Sequence, residues 1–218
     1  MAQEAGYKLI IRQFVYLCSR MRLILKLNGA LLALLAFVSC GTPRLGIYSI
    51  QMEDVLCVPE SETKNLMFST RGLPDGTTEY TYQDMSIQID LVLTNTRFAF
   101  KLKNLLPDTL YVDWEKAKYI NQHGDTLRVI HNGVDLAQRA LPQDTTFLAP
   151  GSLLEDFLLP VDNVIDDPTN FSLWKINYLF YDKRDNVGQK VSVMLPLGTK
   201  AGEKRYHFFF VIDNWKDM

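Results

Sequence analysis

The stretch MSIQIDLVL, residues 85–93, decides the fold because apolar and polar side chains alternate along it. The same alternation returns a few residues later in FAFKLKN, residues 98–104. Successive side chains of a β-strand point to opposite faces of a sheet, so a period of two predicts strands with one buried and one solvated face. We therefore expect these two segments to form the centre of a β-sheet.

Shorter strands are predicted on both sides of this centre, with turn signals about every ten residues. One hairpin is predicted from the aromatic segment 171–181, joined through a polar turn at 183–186 to a strand at 190–195. Because almost no segment has a helical period, the pattern predicts an all-β sandwich formed by one domain, residues 47–218. The other predicted strands cover 45–58, 66–70, 110–114, 118–121, 126–131, 145–148, 153–159 and 206–212.

The predicted core takes the apolar side chains at the inward positions of these strands. Burying such a set at about 25 cal/mol per Å² of apolar surface is an adequate drive for one domain. The set consists of Ile89, Leu91, Leu93, Phe98, Phe100, Leu102, Leu110, Trp114, Ile120, Trp174, Ile176, Tyr178, Phe180, Val191, Val193 and Phe209.

The segment 98–160 resembles the immunoglobulin-like domains of the late-embryogenesis-abundant type, which are found in stress-associated and envelope proteins. The likeness begins with a Phe-x-Leu-x-Asn strand at 100–104 and a Thr-Leu-Tyr-Val-Asp strand at 109–113. It continues with a hairpin centred on Gly124 and a Pro-Gly-Ser at 150–152 ahead of a last strand. The resemblance implies an immunoglobulin-like β-sandwich that is non-catalytic, and it supplies no active-site residues.

Ahead of the predicted domain lies GALLALLAFVSC, residues 29–40, a short apolar run that ends in a cysteine. Arg22 and Lys26 precede the run, and Ser39 is the small residue before Cys40, as a secretory signal requires. The apolar core is far shorter than the ~20 residues of a bilayer-spanning helix. We therefore interpret the run as the end of an export signal.

The arrangement Phe-Val-Ser-Cys at 37–40 resembles a bacterial lipobox, with Phe37 where leucine is usual. The resemblance implies that a diacylglycerol joins the Cys40 sulfur and that cleavage occurs before Cys40. Two or more acyl chains give stable anchoring, at ~0.8 kcal/mol per buried CH₂. The chain then divides into a leader and signal, 1–39, a lipidated tether, 40–46, and the domain. The alternative is an ordinary cleaved signal peptide in which Cys40 is incidental.

Residues 1–20 form an unusual preface to such a signal and add a second apolar patch at 9–17. Met21, followed by the basic and apolar residues 22–26, is a better natural start. We hypothesise that translation begins at Met21 and that the first twenty residues are an artefact of the gene model. A peptide from 2–20 in the mass spectrum of the cell-made precursor would refute this hypothesis.

Charge and cysteine content narrow the class of partner. The chain has 23 basic and 25 acidic residues, of which five basic and one acidic lie in 1–39, so 18 and 24 remain and the net charge from Cys40 onward is −6. Nucleic acid is not an expected partner, because phosphate binding needs clustered Lys and Arg. With Cys18 in the leader and Cys40 lipidated, only Cys57 remains, in an apolar run typical of a buried inert thiol.

Neither a metal nor a cofactor is expected. His123 and His131 lie on one predicted hairpin with Asp125 near them, but without the recurring short ligand spacings of a zinc site, so exposed turn histidines are the preferred interpretation. The sequence contains no Gly-x-Ser-x-Gly elbow and no phosphate-binding Gly loop. A hydrolase would use Asp113, Glu115 and His131, but the acidic residues are more typical of strand ends and turns.

The aromatic residues are the most unusual part of the composition, with 12 Phe, 10 Tyr and 3 Trp. Most are expected in the core or half-buried on strands. Trp215, flanked by Asp213, Asn214 and Lys216, is the best candidate for an exposed ligand-binding residue.

These features predict a lipid-anchored bacterial envelope protein that binds or scaffolds and is not an enzyme. By resemblance to enterobacterial sorting, Gly41 in place of Asp implies no retention in the inner membrane. No acidic run follows, unlike in the surface-exported lipoproteins of gut Bacteroidetes. We therefore expect an outer-membrane lipoprotein facing the periplasm, whose partners are the membrane, through its lipid, and an envelope protein or glycan. The alternative is a carbohydrate- or peptide-binding accessory of a nutrient-uptake system.

Overall fold

A computed structural model describes residues 46–59, 66–169, 173–180 and 186–217. These residues form antiparallel β-sheets with two short 3₁₀ turns, Leu136–Gln138 and Val161–Asn163. The all-β prediction is therefore confirmed, while Cys40 and its surroundings lie outside the described residues. The strands are β1 (Gly46–Val58), β2 (Met67–Gly72), β3 (Thr78–Gln83), β4 (Ile87–Leu93), β5 (Phe98–Asn104), β6 (Leu110–Val112), β7 (Lys118–Ile120), β8 (Thr126–Ile130), β9 (Thr146–Leu148), β10 (Leu153–Pro160), β11 (Val164–Asp166), β12 (Trp174–Ile176), β13 (Lys190–Thr199) and β14 (Gly202–Asp217).

Twelve of the described strands join one sheet. Its main path runs β1-β14-β13-β7-β8-β10-β5-β4-β3-β2. Off this path, β6 pairs with β13, and β9 pairs with β6. Strand β10 connects the two halves of this path, because residues 153–158 pair with β5 and residues 159–160 pair with β8. Strands β11 and β12 form a separate two-stranded sheet.

Aromatic side chains pack the two halves of the path against each other. Tyr82 on β3 contacts Phe208 on β14, with ring centroids 5.9 Å apart. Phe98 on β5 contacts Phe210 on β14 at 5.6 Å. All four rings are buried, and their contacts give one main hydrophobic core between the halves.

The two strands predicted as the centre of the sheet are confirmed as β4 and β5, which pair from Ile87–Asn104 to Leu93–Phe98. The alternation also holds, since Ile89, Leu91 and Leu102 are buried. A buried carboxylate shapes the turn before β4, where Asp84 accepts hydrogen bonds from the N–H groups of Ser86 (2.7 Å) and Ile87 (2.9 Å). Such a turn satisfies backbone donors that the strand ends leave unpaired.

The predicted hairpin between 171–181 and 190–195 is wrong. Residues 174–176 pair with β11, and β13 pairs with β14, β6 and β7. The burial explains the difference, because Val191 and Val193 on β13 are buried against core rings of β14, whereas Ile176 stays 41% exposed. Alternation alone did not distinguish these two partners.

Several predicted core positions also differ. Phe209 is half-buried, because the period of two that starts at Tyr206 turns Phe208 and Phe210 inward instead. Tyr178 is exposed, like Ile176. Leu93, Ile120 and Trp174 are half-buried.

Candidate functional site

Trp215 lies on β14 directly opposite Tyr48 of β1. It is half-buried, so its side chain is less exposed than the sequence predicted. Beside this pair of strands is a cleft of about 550 Å³, which we call the terminal cleft. Its lining includes Asn214 and Lys216, on either side of Trp215, but not Trp215 itself. The remaining lining comes from 48–50, 75–78, Tyr80, 93–95 and Phe180.

The floor of the terminal cleft is aromatic. The rings of Tyr48 and Phe180 meet edge to face, with centroids 5.5 Å apart and planes at 68°. The amide of Asn186 donates a 3.0 Å hydrogen bond to the Tyr48 hydroxyl, which helps to hold that ring in place. The Tyr80 hydroxyl donates to the carbonyl oxygen of Ile50. Burial raises the pKa of Tyr80, so its phenol remains a neutral donor at physiological pH.

The rim of the terminal cleft is polar and exposed. Oδ1 of Asp75 accepts hydrogen bonds from the hydroxyl (2.6 Å) and the N–H (3.0 Å) of Thr77, and both lower the pKa of Asp75. Asn95 is exposed, and among the described residues its side-chain amide makes no hydrogen bond. Lys216 makes no ion pair with any residue that the structure describes. The rim therefore offers the amide of Asn95 and the ammonium group of Lys216 as hydrogen-bond donors to a ligand.

The acidic residues of the hydrolase alternative are held by separate cations. Oδ2 of Asp113 lies 2.9 Å from Nζ of Lys116, and Oε1 of Glu115 lies 2.7 Å from a guanidinium nitrogen of Arg128. Burial alone would raise the pKa of Glu115, but hydrogen bonds from Arg128 and the Gln143 N–H lower it below its ordinary value. Glu115 is therefore held as a carboxylate, which suits an ion pair and not a general acid.

His131 is half-buried, so its interpretation as an exposed turn histidine is wrong, and its ring has contacts of its own. Its Nδ1 lies 3.2 Å from Oδ2 of Asp156, and its ring stacks on Trp114 with centroids 4.1 Å apart and planes at 6°. Asp156 also accepts 2.7 Å hydrogen bonds from the N–H groups of Asn132 and Phe157. This network joins β8 to β10 and has the form of a structural contact.

The other histidines lie apart from each other. His123 is exposed in the turn between β7 and β8, as predicted. Nε2 of His207 lies 2.8 Å from the Ser192 hydroxyl, and burial lowers the pKa of His207. Within the part of the chain that the structure describes, no three His, Cys, Asp or Glu residues are grouped so as to hold a metal ion. Cys57 is buried, as the apolar run around it indicates.

A second cleft, of about 390 Å³, lies on the outer face of β3, β4, β5 and β10. Its charged groups pair with one another or with neighbours. Arg71 lies 2.6 Å from Glu79, and Lys101 lies 3.0 Å from Glu155. Exposed pairs of this kind are typical of a solvated sheet face, so the terminal cleft is the better candidate site.

Comparisons with known proteins identify no relative. No protein-family model matches the chain, and no curated protein or solved structure matches it either. In the ranges that the structure describes, no helix is long and apolar enough to cross a bilayer.

Sequence reasoning missed the main features of the terminal cleft. Tyr48, Asn95 and Phe180 had no motif around them, and they are far apart in the chain. They meet because β1 pairs with β14 and because the N–H of Leu179 donates a 2.7 Å hydrogen bond to the Asn95 carbonyl oxygen. Only the strand order could have revealed this grouping.

Proposed function

We propose that this protein is a lipid-anchored bacterial envelope protein with a non-catalytic binding role, and that the terminal cleft is its binding site. The anchor is the lipidated Cys40, and the domain is an immunoglobulin-like sandwich. The protein resides at the outer membrane and faces the periplasm. The terminal cleft is the observation that carries the binding role, because it combines a preformed aromatic floor with an open polar rim.

The chemistry of the terminal cleft favours binding over catalysis. Among its described residues, the ionisable side chains are Asp75, Lys216, Tyr48 and Tyr80. Asp75 is engaged by its own turn and its pKa is lowered, which makes it a poor proton acceptor near neutral pH. The residues that a hydrolase would use lie outside this cleft.

The anchor and the terminal cleft are close along the chain. Eight peptide units separate Cys40 from Tyr48, so a fully extended tether spans at most about 28 Å. This proximity suits a protein that works on envelope components.

Two measurements test the proposal. In a bacterium with lipoprotein-processing enzymes, the wild-type chain should incorporate an alkyne-tagged palmitate and the Cys40→Ala variant should not. Equal labelling of both chains, or labelling of neither, would contradict a lipid anchor at Cys40.

The second measurement is amide hydrogen exchange of the purified lipidated chain with and without a solubilised envelope fraction. We expect slower exchange at 75–78 and 93–95, which line the terminal cleft, and no change in the exposed turn 121–125. Unchanged exchange at all three segments would contradict the binding role.

A further inference from the structure

We infer that the ligand of the terminal cleft is an uncharged saccharide, an inference that rests on the proposed binding function. Pyranose rings have apolar C–H faces and a periphery of hydroxyl groups. A site for them therefore needs aromatic surface together with neutral hydrogen-bonding groups. The terminal cleft brings these two kinds of group together.

The aromatic component is preorganised. Tyr48 is half-buried and packs against the buried ring of Phe180, and its hydroxyl is held by Asn186. A ring that is fixed before binding loses little conformational entropy when a ligand covers it. Stacking of an apolar sugar face on this floor accordingly needs little rearrangement.

The polar component is neutral for the most part. The amides of Asn95 and Asn214 and the hydroxyl of Ser49 lie on the lining and are exposed. An amide both donates and accepts hydrogen bonds, and so does a hydroxyl, which matches the donor and acceptor pairs of sugar hydroxyl groups. These exposed groups surround the aromatic floor and complete a site of mixed character.

The charges on the described part of the lining disfavour two other ligand classes. Among the residues that the structure describes there, Lys216 is the one cation, so a phosphate group would find one point charge in place of a cluster or an Arg fork. Asp75 is the one carboxylate of the same described lining, which is too few for a calcium ion. A neutral ligand agrees with the balance of one acid and one base.

A peptide is disfavoured by the hydrogen bonding of β1. Among the described strands β1 has a partner, β14, on one side only, so an extended peptide would add to its other side and pair with its carbonyl groups. The carbonyl oxygen of Ile50, which lies within the cleft, already accepts a hydrogen bond from the Tyr80 hydroxyl. A peptide strand at this position would compete with the buried phenol for the carbonyl oxygen of Ile50, whereas a saccharide over the floor leaves the bond undisturbed.

The test uses the full lipidated chain in detergent, probed with a printed array of neutral oligosaccharides, acidic oligosaccharides and peptides. We expect binding to neutral oligosaccharides. Asn95→Ala and Tyr48→Ala should each weaken the strongest interaction by about tenfold or more, the loss expected for a hydrogen bond or a stacked ring. Matched controls outside the cleft are Asn132→Ala, another exposed turn amide, and Phe147→Ala, an aromatic that is 69% exposed. Both should bind like wild type.

The outcomes separate the inference from the proposed function. Peptide binding that Asn95→Ala weakens would overturn the saccharide and leave the binding role intact. Binding only to acidic sugars, abolished by Lys216→Ala, would also overturn it. If no probe binds and the envelope fraction leaves amide hydrogen exchange at 75–78 unchanged, both the saccharide inference and the proposed binding role are refuted. Tyr48→Ala removes a ring that packs on the core, so the circular dichroism and unfolding midpoint of this variant are measured first. If Tyr48→Ala is unfolded, the binding of Asn95→Ala alone decides the test.

Free and membrane-linked saccharides share this chemistry, and a second arm distinguishes them. Phosphatidylcholine vesicles with and without a neutral galactolipid are compared with the soluble oligosaccharide that binds best. Competition by the soluble oligosaccharide identifies a common site and supports the inference. Galactolipid binding that neither competes nor responds to Asn95→Ala would place lipid recognition elsewhere and contradict it.

Discussion

The hydroxyl of Tyr206 donates a 2.8 Å hydrogen bond to Oδ2 of Asp84, and each residue is only 1% exposed. This bond joins the last strand of the chain to the turn between β3 and β4 across the core. A hydrogen bond to a buried charged group is worth about 1.5–3 kcal/mol.

We therefore expect Tyr206→Phe to lower the free energy of unfolding by about 2 kcal/mol, because the carboxylate of Asp84 loses a donor that no water can replace. Guanidinium unfolding at pH 7 measures the change. Tyr178→Phe, at a tyrosine that is 47% exposed, is the matched control and should stay within about 0.5 kcal/mol of wild type. Equal effects of the two substitutions would contradict the role of this bond.

For Tyr119 we expect the opposite effect on stability when the hydroxyl is removed. Its side chain is 1% exposed, yet among the described residues its hydroxyl has no hydrogen-bond partner. Removing a buried, unsatisfied hydroxyl relieves a desolvation cost of about 1–3 kcal/mol, so Tyr119→Phe should be neutral or stabilising. The same unfolding measurement applies, and destabilisation by more than about 1 kcal/mol would reveal a bound water at this hydroxyl.

Alkaline stability depends on three buried phenols. Burial raises the pKa values of Tyr82, Tyr119 and Tyr206 above their ordinary value, and the charge of Asp84 adds to the effect for Tyr82 and Tyr206. Above pH ~10 the unfolded chain releases these protons and the folded chain keeps them. The unfolded state then binds fewer protons, so the free energy of unfolding falls as the pH rises, by up to about 1.4 kcal/mol per pH unit for each phenol.

Unfolding midpoints between pH 8 and pH 11 measure this dependence. We expect little contribution from these phenols below pH ~9 and a steep fall above pH ~10. Tyr119→Phe should reduce the slope, while Tyr178→Phe should leave it nearly unchanged. Identical slopes for wild type and Tyr119→Phe would show that this phenol titrates alike in both states.

Gly198 and Tyr111 face each other where β13 pairs with β6. A Cβ atom at Gly198 would lie 2.0 Å from Cζ of Tyr111, so Gly198→Ala must displace the ring. We expect Gly198→Ala to destabilise the fold by about 1–3 kcal/mol, the usual cost of overpacking. In the Tyr111→Ala background the same substitution should cost little. Additive effects of the two substitutions would contradict direct contact.

The strands that were predictable have local signals. The period of two in 85–93 and 98–104 reports burial of one face, and the turn at 121–125 separates two segments that do pair as β7 and β8. The partner of β13 was not predictable in this way, because 174–176 and β14 both offer alternating apolar residues. The choice between them depends on burial against the whole core.

The site was less predictable than the fold. Trp215 lies beside the terminal cleft, opposite Tyr48, but it is the long-range pairing of β1 with β14 that forms this cleft. Asn95 had no signal because a single polar residue in a loop has no periodic pattern, and Phe180 was predicted only as a core residue. Tertiary contacts determine such sites, and a local pattern contains no information on them.

The pairing of β1 with β14 also orders the assembly of the domain in time. Gly46 lies opposite Asp217, so the first described strand has as its sheet partner the last one. A ribosome or an export channel delivers the amino end first. The thirteen residues of β1 must therefore wait, with their ladder to β14 unmade, until β14 itself has emerged.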